Sequence, residues 1–465
     1  MKINIASNEI IHFIGIGGIG MSGLAQIMKN MGFIIQGSDS AQNKNTERLI
    51  KMGAKVYFGH SKKNLKKATL IVISSAIKKN NKELKSAKIK KLPIFTRGDM
   101  LANIVALKKN IVITGSHGKT TTTSLVANIL LEAGLDPTVI NGGVINSLKN
   151  NAQLGRGEWA VIESDESDGS FLKLPVTYSI VTNVDKEHLD FYGSFEKLKK
   201  SFSSFIEKTP SYGKSIVCLD NKNIKSLLAK CKTNNFLTYG FDKKANYQIT
   251  NIKKKTYFSV FDLKIKITGL RTQVIKNIKL NIVGDHNISN ATASIAVALN
   301  LGIKVEKIKK SLKKFLGIQR RFTKVFELEK KEFYDDYAHH PTEIKAVLES
   351  ARQLNRDRKI ICVFQPHRYT RVNSLKDEFA SSFKESDAVV LCPVYSAGEK
   401  ADMNFDQDNF SKLINKKSKV QVINIENKND LINYFKKNLL EKELIICMGA
   451  GSISNWIREI GDELT

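Results

Sequence analysis

Residues 108–124 read KKNIVITGSHGKTTTTS. The run Asn110–Ile113 (NIVI) has the composition of a short strand. A glycine turn, a lysine and four threonines follow, and the chain runs on as LVANILLEAG with helical character. A strand that feeds a glycine loop and then a helix is a phosphate cradle. Backbone N–H groups at the helix start face an anion, the lysine reaches the β and γ oxygens, and the hydroxyl after it can ligate Mg²⁺. Gly115, Ser116, His117, Gly118, Lys119, Thr120 and Thr121 are the nucleotide ligands on this reading. The spacing is unusual, because the common loop has a glycine where this chain has Ile113, and the first glycine is Gly115. A capped helix start without a ligand is the competing reading, and the G-K-T-T cluster directly after a strand weighs against it.

Working outward, two more segments repeat the pattern of an apolar run ending in glycine or charge. Towards the N-terminus, IIHFIGIGGIGMSGLAQIMKNMG carries G-x-G-x-x-G at Gly15, Gly17 and Gly20, with helical periodicity to Gly32 and a second strand, FIIQGSD, beyond. Asp39 lies 19 residues after Gly20, where a ribose-binding acid would stand. The motif suits any diphosphate, NAD or a UDP-sugar alike, and a plain tight turn shares it. Towards the C-terminus, EFYDDYAHHPTEI, KIICVFQPHRYTR and ELIICMGAGSISN again place polar residues directly after strands. Strand and helix alternate throughout, which predicts α/β architecture with parallel sheets. Ligands of such sheets gather at the carboxyl ends of the strands. The expected domains are 1–107, 108–321 and 322–465. Between residues 236 and 283 short alternating strands suggest an antiparallel ribbon inserted in the middle domain.

Carboxylates end the strand in VIESDESDGSF (Glu163, Asp165, Glu166, Asp168), and TNVDKEHLD adds Asp185 and His188. Beside a phosphate loop these are divalent-metal candidates, with Glu163 the best placed; alone they would be a solvated acidic turn. In YDDYAHHPTEI, Asp335, Asp336, Tyr337, His339 and His340 crowd a strand end. Adjacent histidines diverge and no zinc spacing accompanies them. QPHRYTR places His367, Arg368 and Arg371 after a strand, where two guanidinium forks can clamp a carboxylate or phosphate. The chain has only twelve arginines, so this pair and Arg320–Arg321 stand out.

Composition narrows the classes. The chain has 465 residues and 42% hydrophobic content, enough for about three domains at roughly 150 residues each. Its net charge of +29 comes from dispersed lysines, so it reads as a solvated surface and nucleic acid is not the expected partner. No apolar run approaches the length of a membrane span, so no membrane insertion is expected. The five cysteines (218, 231, 362, 392, 447) have no C-x-x-C spacing, which fits a reducing, cytoplasmic setting.

Taken in order, GIGGIGMSGLA, TGSHGKTTT, ESDESDGSF, TNVDKEHLD, GDHNISNATA, RRF, DDYAHHPTE and QPHRYTR run through the whole chain, and together they resemble the Mur ligase family of bacterial cell-wall synthesis. The family's loop is G-[ST]-x-G-K-[ST], which accounts for the spacing at Gly115–Thr120. The resemblance implies an N-terminal Rossmann-like UDP-binding domain, a central P-loop-type ATPase domain and a C-terminal Rossmann-like domain. It implies ATP-dependent joining of L-alanine to the lactyl carboxylate of UDP-N-acetylmuramate through an acyl phosphate. ATP and Mg²⁺ (or Mn²⁺) would be required, in a cytoplasmic monomer or homodimer.

The resemblance also distributes roles. Lys119 and Thr120 would serve ATP and Mg²⁺, Glu163 and His188 would help hold a second divalent ion, and Asn287, Asn290 and Arg320 would surround ATP. Gly15, Gly17, Gly18, Gly20, Met21, Ser22, Asp39, Ser75 and Arg97 would face the UDP-sugar. Tyr337, His339, Arg368 and Arg371 would surround the amino acid and the transferring phosphate. Closure of the domains would exclude water from the acyl phosphate. A related ligase that attaches a preformed tripeptide is the nearest alternative, and QPHRYTR favours alanine. A nucleotide switch or motor and a non-enzymatic nucleotide-sugar sensor are disfavoured by the His and Arg residues of the third segment and by the intact Lys119, Thr120 and Glu163.

Overall fold

The computed structural model describes residues 9–255, 257–354, 357–402 and 405–464. Three sheets organise them. The first contains β1 (Ile10–Ile14), β2 (Ile34–Asp39), β3 (Lys55–Phe58), β4 (Leu70–Ile73) and β5 (Ile94–Thr96), in the order β3-β2-β1-β4-β5. Every pairing in it is parallel. The order reverses between β1 and β4, so the crevice beyond their carboxyl ends is where such a sheet receives a ligand. The glycine turn comes directly after β1, and Ser75 comes after β4.

The second sheet contains β6 (Lys109–Thr114), β7 (Thr138–Ile145), β8 (Asn150–Gln153), β9 (Trp159–Glu163), β10 (Tyr178–Val181), β11 (Ser215–Cys218), β12 (Phe236–Gly240), β13 (Tyr247–Lys254), β14 (Ser259–Ile265) and β15 (Gln273–Leu280). Their order is β15-β14-β13-β12-β11-β10-β6-β9-β7-β8. β6 lies between β10 and β9, parallel to both, and its interior residues Ile111–Ile113 are fully buried. The loop after β6 is therefore flanked by the ESDESD segment, which leaves β9, and the TNVD segment, which leaves β10. The ribbon expected from residue 236 continues the main sheet, with β13, β14 and β15 as consecutive neighbours. β12 pairs in parallel with β11, and β13 in parallel with β12, so residues 236–280 extend the same sheet. The reason is burial: Tyr239 and Tyr247 are core residues, and alternation in this stretch marks sheet faces shared with the main core. The antiparallel hairpin β7–β8 was not legible in the sequence.

The third sheet contains β16 (Thr323–Leu328), β17 (Lys331–Asp336), β18 (Ile360–Phe364), β19 (Ala388–Leu391), β20 (Gln421–Asn424) and β21 (Leu444–Met448), ordered β16-β17-β21-β18-β19-β20. Only the β16–β17 edge is antiparallel. Its strands are covered on both faces, which is why they read as continuous apolar runs. Cys362, Phe364, Leu444, Ile446 and Met448 enter one core, and Ile361, Val363, Ile445 and Cys447 the other.

By contact density the chain forms two compact units, Met1–Ile252 with Phe261–Leu280 and Ser289–Leu316, and Lys253–Val260 with Asn281–Ile288 and Gly317–Thr465. The five cysteines are free thiols. Among the described residues no helix is long and apolar enough to cross a membrane.

Candidate active site

The loop after β6 is shaped by two left-handed glycines. Gly115 has φ +131°, and a Cβ there would lie 2.2 Å from Thr182 Oγ1. Gly118 has φ +81°, and a Cβ there would lie 2.6 Å from Asn290 Oδ1. Both positions exclude a side chain, so the backbone turns tightly and the helix Lys119–Glu132 opens with its N–H groups outward. Threonine is a modest helix former, yet Thr120–Thr123 are buried here. Thr122 Oγ1 returns to the Gly118 carbonyl at 2.9 Å and Ser124 Oγ to the Thr120 carbonyl at 2.7 Å, which satisfies these hydroxyls locally.

The TNVD segment braces the loop. His117 N donates to Asn183 Oδ1 at 2.8 Å, Asn183 Nδ2 donates to the His117 carbonyl at 3.1 Å, and Asp185 N donates to Ser116 Oγ at 2.8 Å. The His117 ring meets the Asp185 carboxylate at 3.1 Å. Asn183 was missed by sequence reasoning, although its place just after a strand beside β6 was the available signal.

Two polar groupings meet this loop. In the first, Thr120 Oγ1 donates to Glu163 Oε1 at 3.1 Å, while Gly142 N donates to Glu163 Oε2 at 2.6 Å. In the second, Lys119 Nζ donates to the Gly115 carbonyl at 2.6 Å and to Glu166 Oε2 at 2.8 Å. Glu166 is fully buried. Burial pushes its carboxyl up to about 7 against the pull of Lys119, with Asp165 and Glu187 adding to the rise. Burial opposes the Lys119 charge, but Glu166, Asp165 and Glu187 outweigh it and hold the ammonium above the ordinary lysine range. His188, in the left-handed region at φ +54°, brings Nε2 to 3.7 Å from Glu166 Oε1. Asp165, Glu166 and His188 place ligand atoms within 4.8 Å of one another, close enough to share one metal ion. Glu163 thus stands beside Thr120, whereas His188, expected with Glu163 at a second divalent ion, sits with Asp165 and Glu166 instead. The role of Glu166 as the lysine's counter-ion was not read from the sequence.

At the first sheet, Gly15 N and Ile16 N donate to the Ser38 carbonyl at 2.8 and 3.0 Å, and Gly17 N donates to Asp39 Oδ2 at 2.7 Å. Asp39 thus holds the turn itself. Gly18 then caps the helix Ile19–Asn30 without a side-chain acceptor, which leaves the helix start open to an anion. Arg97 begins the helix Arg97–Val105, and its side chain lies over Gly20, where a Cβ would stand 3.2 Å from Arg97 Cδ. Met21 and Ser22 are buried, with Ser22 Oγ donating to the Ile19 carbonyl at 3.0 Å, and Ser75 is exposed.

In the second unit an aromatic and cationic file runs across the strand ends. Arg320 Cζ stands 4.7 Å from the Tyr337 ring centre, within cation–π range. Tyr337 meets His339 edge-on at 5.1 Å, His339 meets His367 at 5.7 Å, and His367 stacks on Tyr395 at 5.7 Å. Arg371 Nη1 donates to His367 Nδ1 at 3.0 Å. Burial, then the positive neighbours His339, Arg371 and Arg368, push His367 down to about 3, so the ring is a neutral acceptor for that guanidinium. Arg368 is exposed at φ +68° and its backbone N donates to the Tyr395 carbonyl at 2.9 Å. Asn287 Nδ2 donates to the Val283 carbonyl at 2.7 Å, less than one turn before Asn290 on the helix Asp285–Asn300.

Known proteins resemble this chain in sequence and fold. The chain matches the Mur ligase family catalytic domain over residues 10–109, the Mur ligase middle domain over 113–298, and the Mur ligase glutamate ligase domain over 320–451. It is 55% identical over 460 residues to the UDP-N-acetylmuramate–L-alanine ligase of Pelagibacter ubique (strain HTCC1062), covering 99% of each chain. The ligase of the same name from Parvibaculum lavamentivorans is 45% identical, covering 98% of this chain and 92% of that one. Among solved structures, the UDP-N-acetylmuramate–alanine ligase of Thermotoga maritima matches with a TM-score of 0.82 at 28% identity, covering 97% of this chain and 98% of that one. A murein peptide ligase from Psychrobacter arcticus shares the fold at TM-score 0.73 and 22% identity, over 98% of each chain. With all three segments matched in order and more than half of its residues identical to a relative of the same length, the chain belongs to the Mur ligase family.

Proposed function

We propose that the chain is an ATP-dependent ligase that joins L-alanine to the lactyl carboxylate of UDP-N-acetylmuramate, giving ADP and phosphate, in peptidoglycan synthesis. The observation that carries this reading is the phosphate loop at the centre of the second sheet, with Thr120 on Glu163, in a chain 55% identical over its length to a ligase of that name. The three-domain division at 1–107, 108–321 and 322–465 and a cytoplasmic site of action belong to the same proposal.

A carboxylate is a poor electrophile for an amine and must first be activated. The lactyl carboxylate attacks the γ-phosphorus of ATP and ADP leaves, so the product is an acyl phosphate. Lys119, charged at neutral pH, lies in the loop that would receive the phosphates and can neutralise charge on the transferring group. The neutral amine of L-alanine then attacks the acyl carbon, a tetrahedral intermediate forms, and phosphate is expelled. Arg371, oriented by the neutral His367, suits alanine's carboxylate, with Arg368 beside it. His339, whose Nδ1 lies 2.9 Å from the Tyr337 carbonyl, would order the amine or accept its proton.

The residues present fit a hard divalent ion. Thr120 and Glu163 supply a hydroxyl and a carboxylate side by side, and Asp165, Glu166 and His188 converge as a second donor set. When bound, Mg²⁺ or Mn²⁺ would offset phosphate charge. Around ATP the reading keeps Asn290 against Gly118, with Asn287 and Arg320 as further contacts. Around the UDP-sugar it keeps the open helix start at Gly18–Gly20 and Arg97.

The test is ADP release with each substrate omitted in turn. Turnover is expected only when ATP, a divalent ion, UDP-N-acetylmuramate and L-alanine are all present. Equal turnover without the last two would overturn the reading.

A further inference from the structure

The hairpin β7–β8 belongs to the second sheet, yet one of its strands is built against the glycine turn of the first. Asn151, only 1% exposed, donates from Nδ2 to the Ile19 carbonyl at 3.1 Å and accepts from Arg48 Nη2 at 3.0 Å. Arg48 Nη1 reaches Asn150 Oδ1 at 2.8 Å, and Nη2 also reaches Asn45 Oδ1 at 2.9 Å. Asn45 in turn donates to the Gly17 carbonyl at 2.9 Å. The carbonyl side of the turn is therefore held from β8 at two points, Ile19 directly and Gly17 through Asn45 and Arg48. The approach is close. A Cβ on Gly23 would lie 2.9 Å from Asn151 Nδ2, and Gln26 Nε2 donates to the Ala152 carbonyl at 2.8 Å in the buried seam.

The other strand holds the phosphate loop. The hairpin register runs Val139↔Gln153 and Ile140↔Ala152, then breaks until Ile145↔Asn150. Within the break Gly142 N, free of the ladder, donates to Glu163 Oε2 at 2.6 Å. A Cβ on Gly142 would stand 2.4 Å from Glu163 Oε1, so any side chain there would have to displace the carboxylate. Asn141 Nδ2 donates to Ser124 Oγ at 3.0 Å, one helical turn beyond Thr120. The path between the two ends is short: Asn151 adjoins Ala152, whose partner Ile140 is two residues from Gly142.

We propose that the hairpin Thr138–Gln153 is a common frame for two sites. Asn151 and Arg48 are positioning residues for the glycine turn, Gly142 is the positioning residue for Glu163, and loosening either end is felt at the other. A bulge in a paired strand is a device for re-aiming a group next to a functional site, and here it re-aims a backbone donor. The proposal rests on reading the glycine turn as the UDP-sugar site and Thr120–Glu163 as the metal–nucleotide site.

The test uses the full chain and binding alone. Calorimetry measures UDP-N-acetylmuramate affinity, and separately the Mg²⁺ concentration that half-saturates binding of an ATP analogue with a methylene bridge between the β and γ phosphorus. Asn151→Ala should weaken UDP-sugar binding roughly tenfold and also raise the Mg²⁺ requirement about threefold. Gly142→Ala should do the reverse, with its larger effect on Mg²⁺. A merely local role moves only the nearer site, and loss of either cross-effect overturns the proposal. Arg48→Lys keeps the charge but not the fork, and it should show the same cross-effect if Asn151→Ala does not fold. A wild-type chain that binds no UDP-N-acetylmuramate would instead overturn the reading of the glycine turn.

Discussion

Lys119 Nζ lies 2.8 Å from Glu166 Oε2, an ion pair whose carboxylate is fully buried. The lysine of the phosphate loop thus already has an anionic partner inside the protein. Removing one member of such a pair strands the other, which costs more than the pair itself contributes. Lys119→Ala is expected to abolish ligation and also to lower stability by about 3 kcal/mol. Lys119→Ala combined with Glu166→Gln should recover most of that stability with no turnover. Chemical denaturation and an ADP-release assay on the wild type and the two variants check both halves, and a double variant as unstable as the single one would remove Glu166 as the partner.

Glu163 receives the Thr120 hydroxyl and the Gly142 N–H on separate oxygens. Glu163→Gln retains the size and one carbonyl acceptor while removing the charge a divalent ion needs. The Mg²⁺ concentration for half-maximal activity is expected to rise at least tenfold, about 1.4 kcal/mol or more, with the unfolding midpoint little changed. An unaltered Mg²⁺ requirement would take Glu163 out of the metal site.

Arg371 is held by a neutral imidazole, so its charge is not spent inside the protein. Arg371→Ala is expected to raise the KM for L-alanine by at least tenfold and that for ATP by less than threefold, in line with the loss of a charge-assisted hydrogen bond of about 1.5–3 kcal/mol. Initial-rate kinetics with each substrate varied decide it, and an unchanged alanine KM would refute the role.

A fourth expectation concerns acid. Glu83 is buried beneath the first sheet. Burial alone would raise its carboxyl, but the His12 ring 3.5 Å away and hydrogen bonds from Ser38 and Asn64 overcome this and hold it at about 2. A depressed carboxyl contributes stability above its unfolded value near 4.5, and that contribution is lost as pH falls from there through about 2. The loss is on the order of 3 kcal/mol. Glu83→Gln should be less stable at pH 7 and should show a flatter decline between pH 4.5 and 2. Denaturation midpoints at a series of pH values test it, and parallel declines for the two proteins would contradict it.

Much of the site was legible because it lies directly after strands. β6, β9, β10, β17 and β18 announce themselves as apolar runs, and the candidate residues Glu163, Lys119, Thr120, Tyr337 and Arg371 stand at their ends or in the segments that follow. Residues whose importance depends on a neighbour in space were not. Asn183 looks like any loop asparagine until β10 is placed beside β6, and Gly142 looks like half of a glycine pair until the hairpin register breaks at Glu163.

By itself the sequence determined the alternation of strand and helix, the two glycine turns and the family, since each is a local pattern of hydrophobicity, backbone freedom and spacing. Tertiary structure alone decided which groups share a charge, a proton or a carbonyl. Sheet order brings Glu166 to Lys119 across 47 residues, and packing of the β7–β8 hairpin on the glycine turn brings Asn151 to Ile19 across 132. Hydrogen bonds and ion pairs act over about 3 Å, and no local pattern in a chain encodes which distant residues packing will bring within that reach.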